Sequence, residues 1–233
     1  MDLKILGTRG EIEESLPRHS KHSGVLIDGV LLLDLGEKQY LKHHPKWVLL
    51  THFHPDHAYF IRRGQEEKLQ TDALIFAPEK RKKWVRLLTR KKTLGPYSIT
   101  PIPTHHSKYV KSQAYLIEKN GQSVLYTGDL IWIDRKYHHR FAQVDMVITD
   151  GSFIREGGMI RKDPETGKIF GHAGIPNLIR LFKPYAKKMV FIHFGTWFYR
   201  NLKASRKKLS ALGKKYHIPV LAGYDGQHLK LEG

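Results

Sequence analysis

The chain has 233 residues, with 40 Lys and Arg against 22 Asp and Glu; the resulting formal charge of +18 favours polyanionic partners, or else a plainly solvated, lysine-rich surface. It contains no cysteine, so disulfides and thiolate metal sites are excluded and any metal must be held by His, Asp or Glu. No apolar run reaches the ~18 residues of a membrane helix, the first residues turn polar too quickly for a signal peptide, and no linker divides the chain, so a single cytoplasmic domain over residues 1–233, with no membrane partner, is expected.

In chain order, residues 3–6 alternate as a strand and meet a turn at Gly7 to Gly10. A polar loop over residues 11–23 precedes two apolar runs, 25–27 and 30–33, joined by Asp28-Gly29, a strong hairpin signal. Asp34-Leu35-Gly36 closes the second run. His43 and His44 precede Pro45 on an expected short helix and read as surface residues. Residues 48–50 form a buried strand that runs into Thr51-His52-Phe53-His54-Pro55-Asp56-His57, and a short helix over 58–63 follows. After a strand at 74–77, Pro78-Glu79 suits a helix start. That expected helix carries Lys80, Arg81, Lys82, Lys83, Arg86, Arg90, Lys91 and Lys92, alternating with Trp84, Val85, Leu87 and Leu88. An apolar stripe would face the core and a cationic face the solvent or phosphates, with Lys82, Lys83 and Arg86 as candidate nucleic-acid contacts.

A strand at 99–103 ends in Thr104-His105-His106-Ser107. Strands at 113–118 and 123–127 form a hairpin around Asn120-Gly121, and the second leads into Gly128-Asp129. A strand at 144–149 ends in Asp150-Gly151-Ser152-Phe153. Gly171-His172-Ala173-Gly174 stands at the start of an apolar-striped helix. A buried strand at 189–192 ends at His193-Phe194-Gly195. Residues 201–216 read as a basic amphipathic helix and 219–222 as the final core strand, with a turn at Gly223-Tyr224-Asp225-Gly226. His138, His139, His217 and His228 receive no role.

Three histidines and an aspartate within six positions are hard to explain as packing. Side chains at i and i+2 of an extended segment share a face, so His52 and His54 can reach one ion. Pro55 turns the chain, which lets Asp56 and His57 serve a second. Imidazole suits zinc, and carboxylate suits zinc, iron or manganese, so two Zn2+ ions are expected, with Mn2+ or Fe2+ as alternatives. The His-x-His-x-Asp-His run resembles the signature of the metallo-β-lactamase-fold hydrolases. The resemblance implies an α/β fold, an αββα sandwich of two mixed β-sheets flanked by helices, with the metals at one edge between the sheets.

Further motifs extend the resemblance along nearly the whole chain, closest to the branch of tRNase Z and related phosphodiesterases. It implies that Asp34 supports the metal loop, that His106 is a ligand with His105 either supporting the ligands or lining the pocket, that Asp129 bridges two metals and that His193 is the last ligand. One ion would then be held by His52, His54 and His106, and the other by Asp56, His57 and His193. Two dications ~3.5–4 Å apart make a bridging hydroxide available for attack on phosphorus or a carbonyl carbon. Asp150 and His172 resemble an acid–histidine pair of tRNase Z near the leaving group; with Asp56 they complete the expected catalytic set. The stretch from His106 to Asp129 leaves room for one short hairpin and not for the long arm that those enzymes insert there. Their Pro-x-Lys-x-Arg-Asn loop is only loosely echoed by Pro17 to Ser23. Phosphodiester chemistry is therefore expected, and transfer-RNA processing is not.

Two function classes follow. One is a metal-dependent phosphodiesterase or nuclease acting on nucleic acid or a nucleotide, favoured by the charge and by Asp150 with His172. The other is a hydrolase of small acyl substrates, a lactone, β-lactam or thioester, using the same metal site. The complete ligand set argues against a non-catalytic member, and no second domain for a flavin is expected. A homodimer is compatible with the sequence.

Overall fold

Gly24–Ile27, Leu31–Leu33 and Met189–Ile192 contain no polar side chain, and every position in them is buried. A strand buried on both faces belongs inside a layered structure. A computed structural model describes residues 1–62, 64 and 69–231, and its layers are built on two seven-stranded mixed sheets. The first half of the chain supplies β1 (Asp2–Gly7), β2 (Gly24–Ile27), β3 (Leu31–Leu33), β4 (Trp47–Leu49), β5 (Leu74–Ala77) and β6 (Val85–Leu87). Then follow β7 (Lys92–Leu94), β8 (Tyr97–Thr104), β9 (Ser112–Lys119), β10 (Gln122–Tyr126) and β11 (Met146–Asp150). A separate two-stranded hairpin, β12 (Met159–Lys162) and β13 (Ile169–His172), precedes helix α1 (Ile175–Phe182) and β14 (Met189–Ile192). The chain continues through α2 (Thr196–Tyr199), α3 (Leu202–Tyr216), β15 (Val220–Ala222) and β16 (His228–Lys230).

The sheet orders are β16-β1-β2-β3-β4-β5-β6 and β15-β14-β11-β10-β9-β8-β7. Both sheets switch once, from antiparallel to parallel pairing, at β3–β4 and at β10–β11. Alternate residues divide the core. Val25, Leu33, Ile148 and Val190 meet between the sheets; Val147 and Phe191 face α1 and α3; Leu26, Leu32 and Val48 face the outside of the first sheet. There Tyr40, Tyr59 and Phe60 cover them from the 3-10 turns Lys38–His43 and Tyr59–Ile61. This is the expected αββα sandwich, with 3-10 turns covering the first sheet among the described residues. No helix among the described residues is long and apolar enough to cross a membrane.

Several elements differ from the sequence reading. The expected basic helix after Pro78 is instead the edge strand β6, followed by β7. A helix would have stacked Lys82, Arg86 and Arg90 as like charges at i, i+4, which is unfavourable. Pairing with β5, by contrast, satisfies backbone groups that would otherwise remain open. The helix over 58–63 shrinks to the turn Tyr59–Ile61, and Arg63 lies outside the described residues. β15 is not the last strand, because β16 pairs antiparallel with β1.

The turn after β15 ties the chain together. Asp225 accepts hydrogen bonds from the backbone N–H of Ser20 and Lys21 (2.8 and 3.0 Å) and from Thr8 Oγ1 (2.8 Å). Buried His19 donates from Nδ1 to Thr8 Oγ1 (2.9 Å) and accepts at Nε2 from Arg206 Nη2 (3.0 Å). A second ring proton would point at the guanidinium. Burial lowers the His19 pKa to about 4, with Arg206 and Arg18 adding to the effect against Asp225. Unfolded His19, with an ordinary value of 6.5, takes up a proton that the folded chain refuses. This contribution is therefore complete above the unfolded pKa and is lost as pH falls toward the folded one. Urea unfolding near pH 7 and near pH 5 is expected to show a smaller loss in His19→Gln than in the parent; equal losses in the two proteins would assign the pH dependence elsewhere.

Candidate metal centre

The site lies where the carboxyl ends of strands from both sheets meet. Asp34 follows β3, the His52–His57 loop follows β4, His106 follows β8, Asp129 follows β10, Asp150 ends β11 and His193 follows β14. A strand end is where a side chain can leave the sheet while its backbone stays anchored. Asp34 and His193 hold left-handed backbone conformations, φ 55 in both, uncommon for residues with a Cβ. Gly128 needs its freedom for space as well: a Cβ there would stand 2.5 Å from Thr51 Oγ1.

Two sets of donors converge. In the first, His54 Nδ1 lies 3.0 Å from His52 Nε2 and 3.1 Å from His106 Nε2, while Asp129 Oδ2 is 3.7 and 3.5 Å from the same two Nε2 atoms. In the second, His193 Nε2 is 2.7 Å from Asp56 Oδ2 and 3.4 Å from Asp129 Oδ1, and His57 Nε2 is 3.1 Å from Asp129 Oδ1. Asp129 thus offers one oxygen to each set. All seven residues named for metal in the sequence reading come together here. His105 does not; its Nε2 meets Asp134 at 2.9 Å.

The outer nitrogens explain the inward aim of the rings. His106 Nδ1–H donates to the carbonyl of Gly171 (2.9 Å) and His57 Nδ1–H to Asp34 (2.7 Å). Neither partner can donate, so these contacts require a proton on Nδ1. With that proton on Nδ1, neutral His106 has its lone pair at Nε2. Burial, outweighing Asp129, lowers the pKa of His106 to about 4, which keeps the ring neutral. His52 Nδ1 meets Thr51 Oγ1 at 3.0 Å, and that hydroxyl donates to Asp34 (2.9 Å), so one carboxylate orients two histidines. Burial opposes charge on His57, yet Asp129, Asp56 and Asp34 together raise its pKa well above the ordinary value.

The residues fit a metal. His57 Nε2 and Asp129 Oδ1 are buried; they lie 3.1 Å apart but are not aligned for a hydrogen bond to each other, and neither has another partner among the described residues. Buried polar atoms are normally paired, and a cation suits both an imidazole lone pair and a carboxylate oxygen.

Asp150 and His172 also meet: His172 Nδ1–H donates to Asp150 Oδ2 at 2.7 Å, and the same nitrogen is 4.0 Å from Asp129 Oδ2. His172 is the last residue of β13, three positions before α1, so a strand and not a helix start carries it. The signal for that hairpin was present in residues 159–172, two apolar-bearing runs around Asp163-Pro164-Glu165-Thr166-Gly167. Sequence reasoning also passed over Ser152. Its hydroxyl donates to Asp150 Oδ1 (2.6 Å) and accepts from His193 Nδ1–H (2.8 Å), joining the Asp150–His172 pair to a histidine of the second donor set.

A cleft of about 420 Å³ opens onto the centre, walled by Ile12, Phe153, Met159, His172 and Trp197. A second groove of about 780 Å³ is also lined by His106. From the basic segment it takes Pro78, Glu79 and Thr89; Lys82, Lys83 and Arg86 line neither opening.

A family described as the β-lactamase superfamily domain matches residues 24–194. No curated protein matches the chain. Among solved structures, the metallo-β-lactamase fold protein YhfI from Bacillus subtilis is 18% identical, with 98% of each chain covered and a TM-score of 0.72. A diphosphatase of the PhnP family is 16% identical, covering 98% of this chain and 96% of its own, with a TM-score of 0.67. Human tRNase Z, short form, is 15% identical over 100% of both chains, with a TM-score of 0.66. At these identities the likeness is one of fold.

Proposed function

The chain belongs to the β-lactamase superfamily, a family of metal-dependent hydrolases, and from that premise we propose that it is a dinuclear zinc enzyme cleaving phosphodiesters in nucleic acid or a nucleotide. The observation that carries this reading is the 2.7 Å bond between His172 and Asp150 at the wall of the cleft. His52, His54 and His106 would hold one ion, Asp56, His57 and His193 the other, and Asp129 both. When bound, the two ions supply an acidified water and neutralise charge that develops on the phosphoryl oxygens. Asp56 adds a buried carboxylate held well below its usual range: burial opposes the charge, but His57 and His193 outweigh it. His172, with Nδ1 committed to Asp150, has no hydrogen-bond partner at Nε2 among the described residues, and that nitrogen would hand a proton to a departing alkoxide. A diester has two substituents, and the cleft and the groove meet at His106, which gives each substituent a side. The net charge of +18 favours such a polyanion, and two of the neighbours, a diphosphatase and a tRNase, are named for phosphate chemistry.

Elemental analysis of protein purified without added metal is expected to return two zinc atoms per chain. Chelation should abolish turnover and lower the melting temperature; an ion present at a hundred times its Kd adds about 2.7 kcal/mol to stability. A stoichiometry of one, or a melt indifferent to chelator, contradicts the dinuclear centre. The substrate class is tested by turnover of bis(p-nitrophenyl) phosphate, single-stranded RNA and DNA, a lactone and a β-lactam, each with and without chelator. Faster turnover of a lactone or β-lactam than of any diester replaces the phosphodiesterase with an acyl hydrolase.

A further inference from the structure

The larger opening has no part in the chemistry at the metals beyond meeting it at His106. One wall is set by backbone bonds: His105 N–H donates to Trp132 C=O (3.0 Å) and Ile131 N–H to His105 C=O (2.7 Å). This brings the two rings into a stack, centroids 4.4 Å apart and planes 21° from parallel. Asp134 fixes both by their edges, His105 through Nε2 (2.9 Å) and Trp132 through Nε1–H (3.3 Å). The His105 side chain stays 43% exposed, so the pair is a fixed surface and not core packing. Tyr109, 75% exposed, lines the same groove.

The charges around this surface are unbalanced. Glu79, the one carboxylate lining the groove among the described residues, is paired with Arg81, and Lys108 is paired with Asp163. Lys111 and Lys168 are exposed, line the groove and make no ion pair among the described residues. A rigid aromatic face beside free cations, with no free carboxylate, matches the alternation of flat base and phosphate in an unpaired strand.

We propose that this groove binds a single-stranded polynucleotide leading away from the metal centre, with a base against the His105–Trp132 face and flanking phosphates on Lys111 and Lys168. The inference rests on the phosphodiesterase reading for what happens at the metals, but binding can be read without turnover. The probes are fluorescently labelled, phosphorothioate-linked twelve-nucleotide thymidylate and uridylate strands, followed by anisotropy on metal-loaded protein over a range of salt. Trp132→Ala is expected to weaken binding by ~5–150-fold, the span for losing one base stack, and Trp132→Phe to retain most of it. Lys111→Gln with Lys168→Gln should reduce the log–log salt slope by about 1.4, or ~0.7 per phosphate contact. Both lysines are exposed, so this variant carries the test if Trp132→Ala does not fold. In both variants the loss of kcat/KM on an oligonucleotide should exceed the loss on bis(p-nitrophenyl) phosphate. Affinity and salt slope equal to the parent's overturn the groove, and continued turnover of bis(p-nitrophenyl) phosphate then leaves the diesterase reading intact. Weakened binding in a protein that hydrolyses no diester has the opposite meaning: the groove stands and the proposed chemistry falls.

Discussion

His172→Ala is expected to slow cleavage of a diester with an alkoxide leaving group by ~10²–10⁴-fold, and cleavage of bis(p-nitrophenyl) phosphate far less. An alkoxide is too basic to depart without a proton, whereas p-nitrophenolate leaves unaided. The donor must be charged at working pH. Burial works against that charge on His172, but the Asp150 carboxylate bonded to its Nδ1, joined in the metal-free chain by Asp129, outweighs burial and raises its pKa from the ordinary 6.5. The proton is thus retained at pH values where a free imidazole has lost it, and the rate on the poor leaving group should fall only as pH rises through the raised value. Asp150→Asn keeps the shape but removes the charge, so this limb should move to lower pH, and in His172→Ala it should vanish. Equal losses on both leaving groups, with the pH profile unmoved, assign His172 to structure alone.

Asp34→Asn should weaken zinc binding by ~10–100-fold although Asp34 lies in neither donor set, the usual consequence of losing a group that orients a metal-binding histidine. The carboxylate is fully buried and accepts from four donors: Thr51 N–H (2.7 Å), Thr51 Oγ1–H (2.9 Å), His57 Nδ1–H (2.7 Å) and Tyr126 O–H (2.9 Å). An amide has only one oxygen to offer, and its NH₂ would face donors. Each buried group left unsatisfied costs about 1–3 kcal/mol, so unfolding in urea should register at least one such loss even without metal. Zinc titration of the folded variant separates orientation from stability. Unchanged affinity in a destabilised protein confines Asp34 to the fold.

The metal run was legible because it is local: His52, His54, Asp56 and His57 sit in one loop, and Pro55 marks that loop as irregular. His106, Asp129 and His193 were found through their motifs at strand ends, since nothing in their spacing along the chain brings them together. Only the pairing of strands from two sheets does that. The strands themselves read well where both faces are buried, because an unbroken apolar run has few other uses. Residues 80–92 misled for the opposite reason. Their apolar positions suit a helical stripe and a strand edge about equally, and the vacant side of β5 decided between them. Ser152 escaped notice because its role depends on two neighbours, Asp150 and His193, that are distant from each other in sequence.

The position of β6 at the margin of the first sheet has a further consequence. Among the described residues no strand pairs with its outer side, so that row of peptide groups offers itself to an extended chain, and Leu87, 55% exposed, adds an adhesive side chain. Such margins are sites where proteins stick to one another during synthesis and storage. Arg86 within the strand and Lys83 just before it are exposed on that margin, so a second copy attempting to add there would bring like charges together at close range. The cationic segment thus has a protective use that needs no substrate, as a guard on colloidal behaviour, and neutralising it carries a risk of clumping quite apart from any effect on turnover.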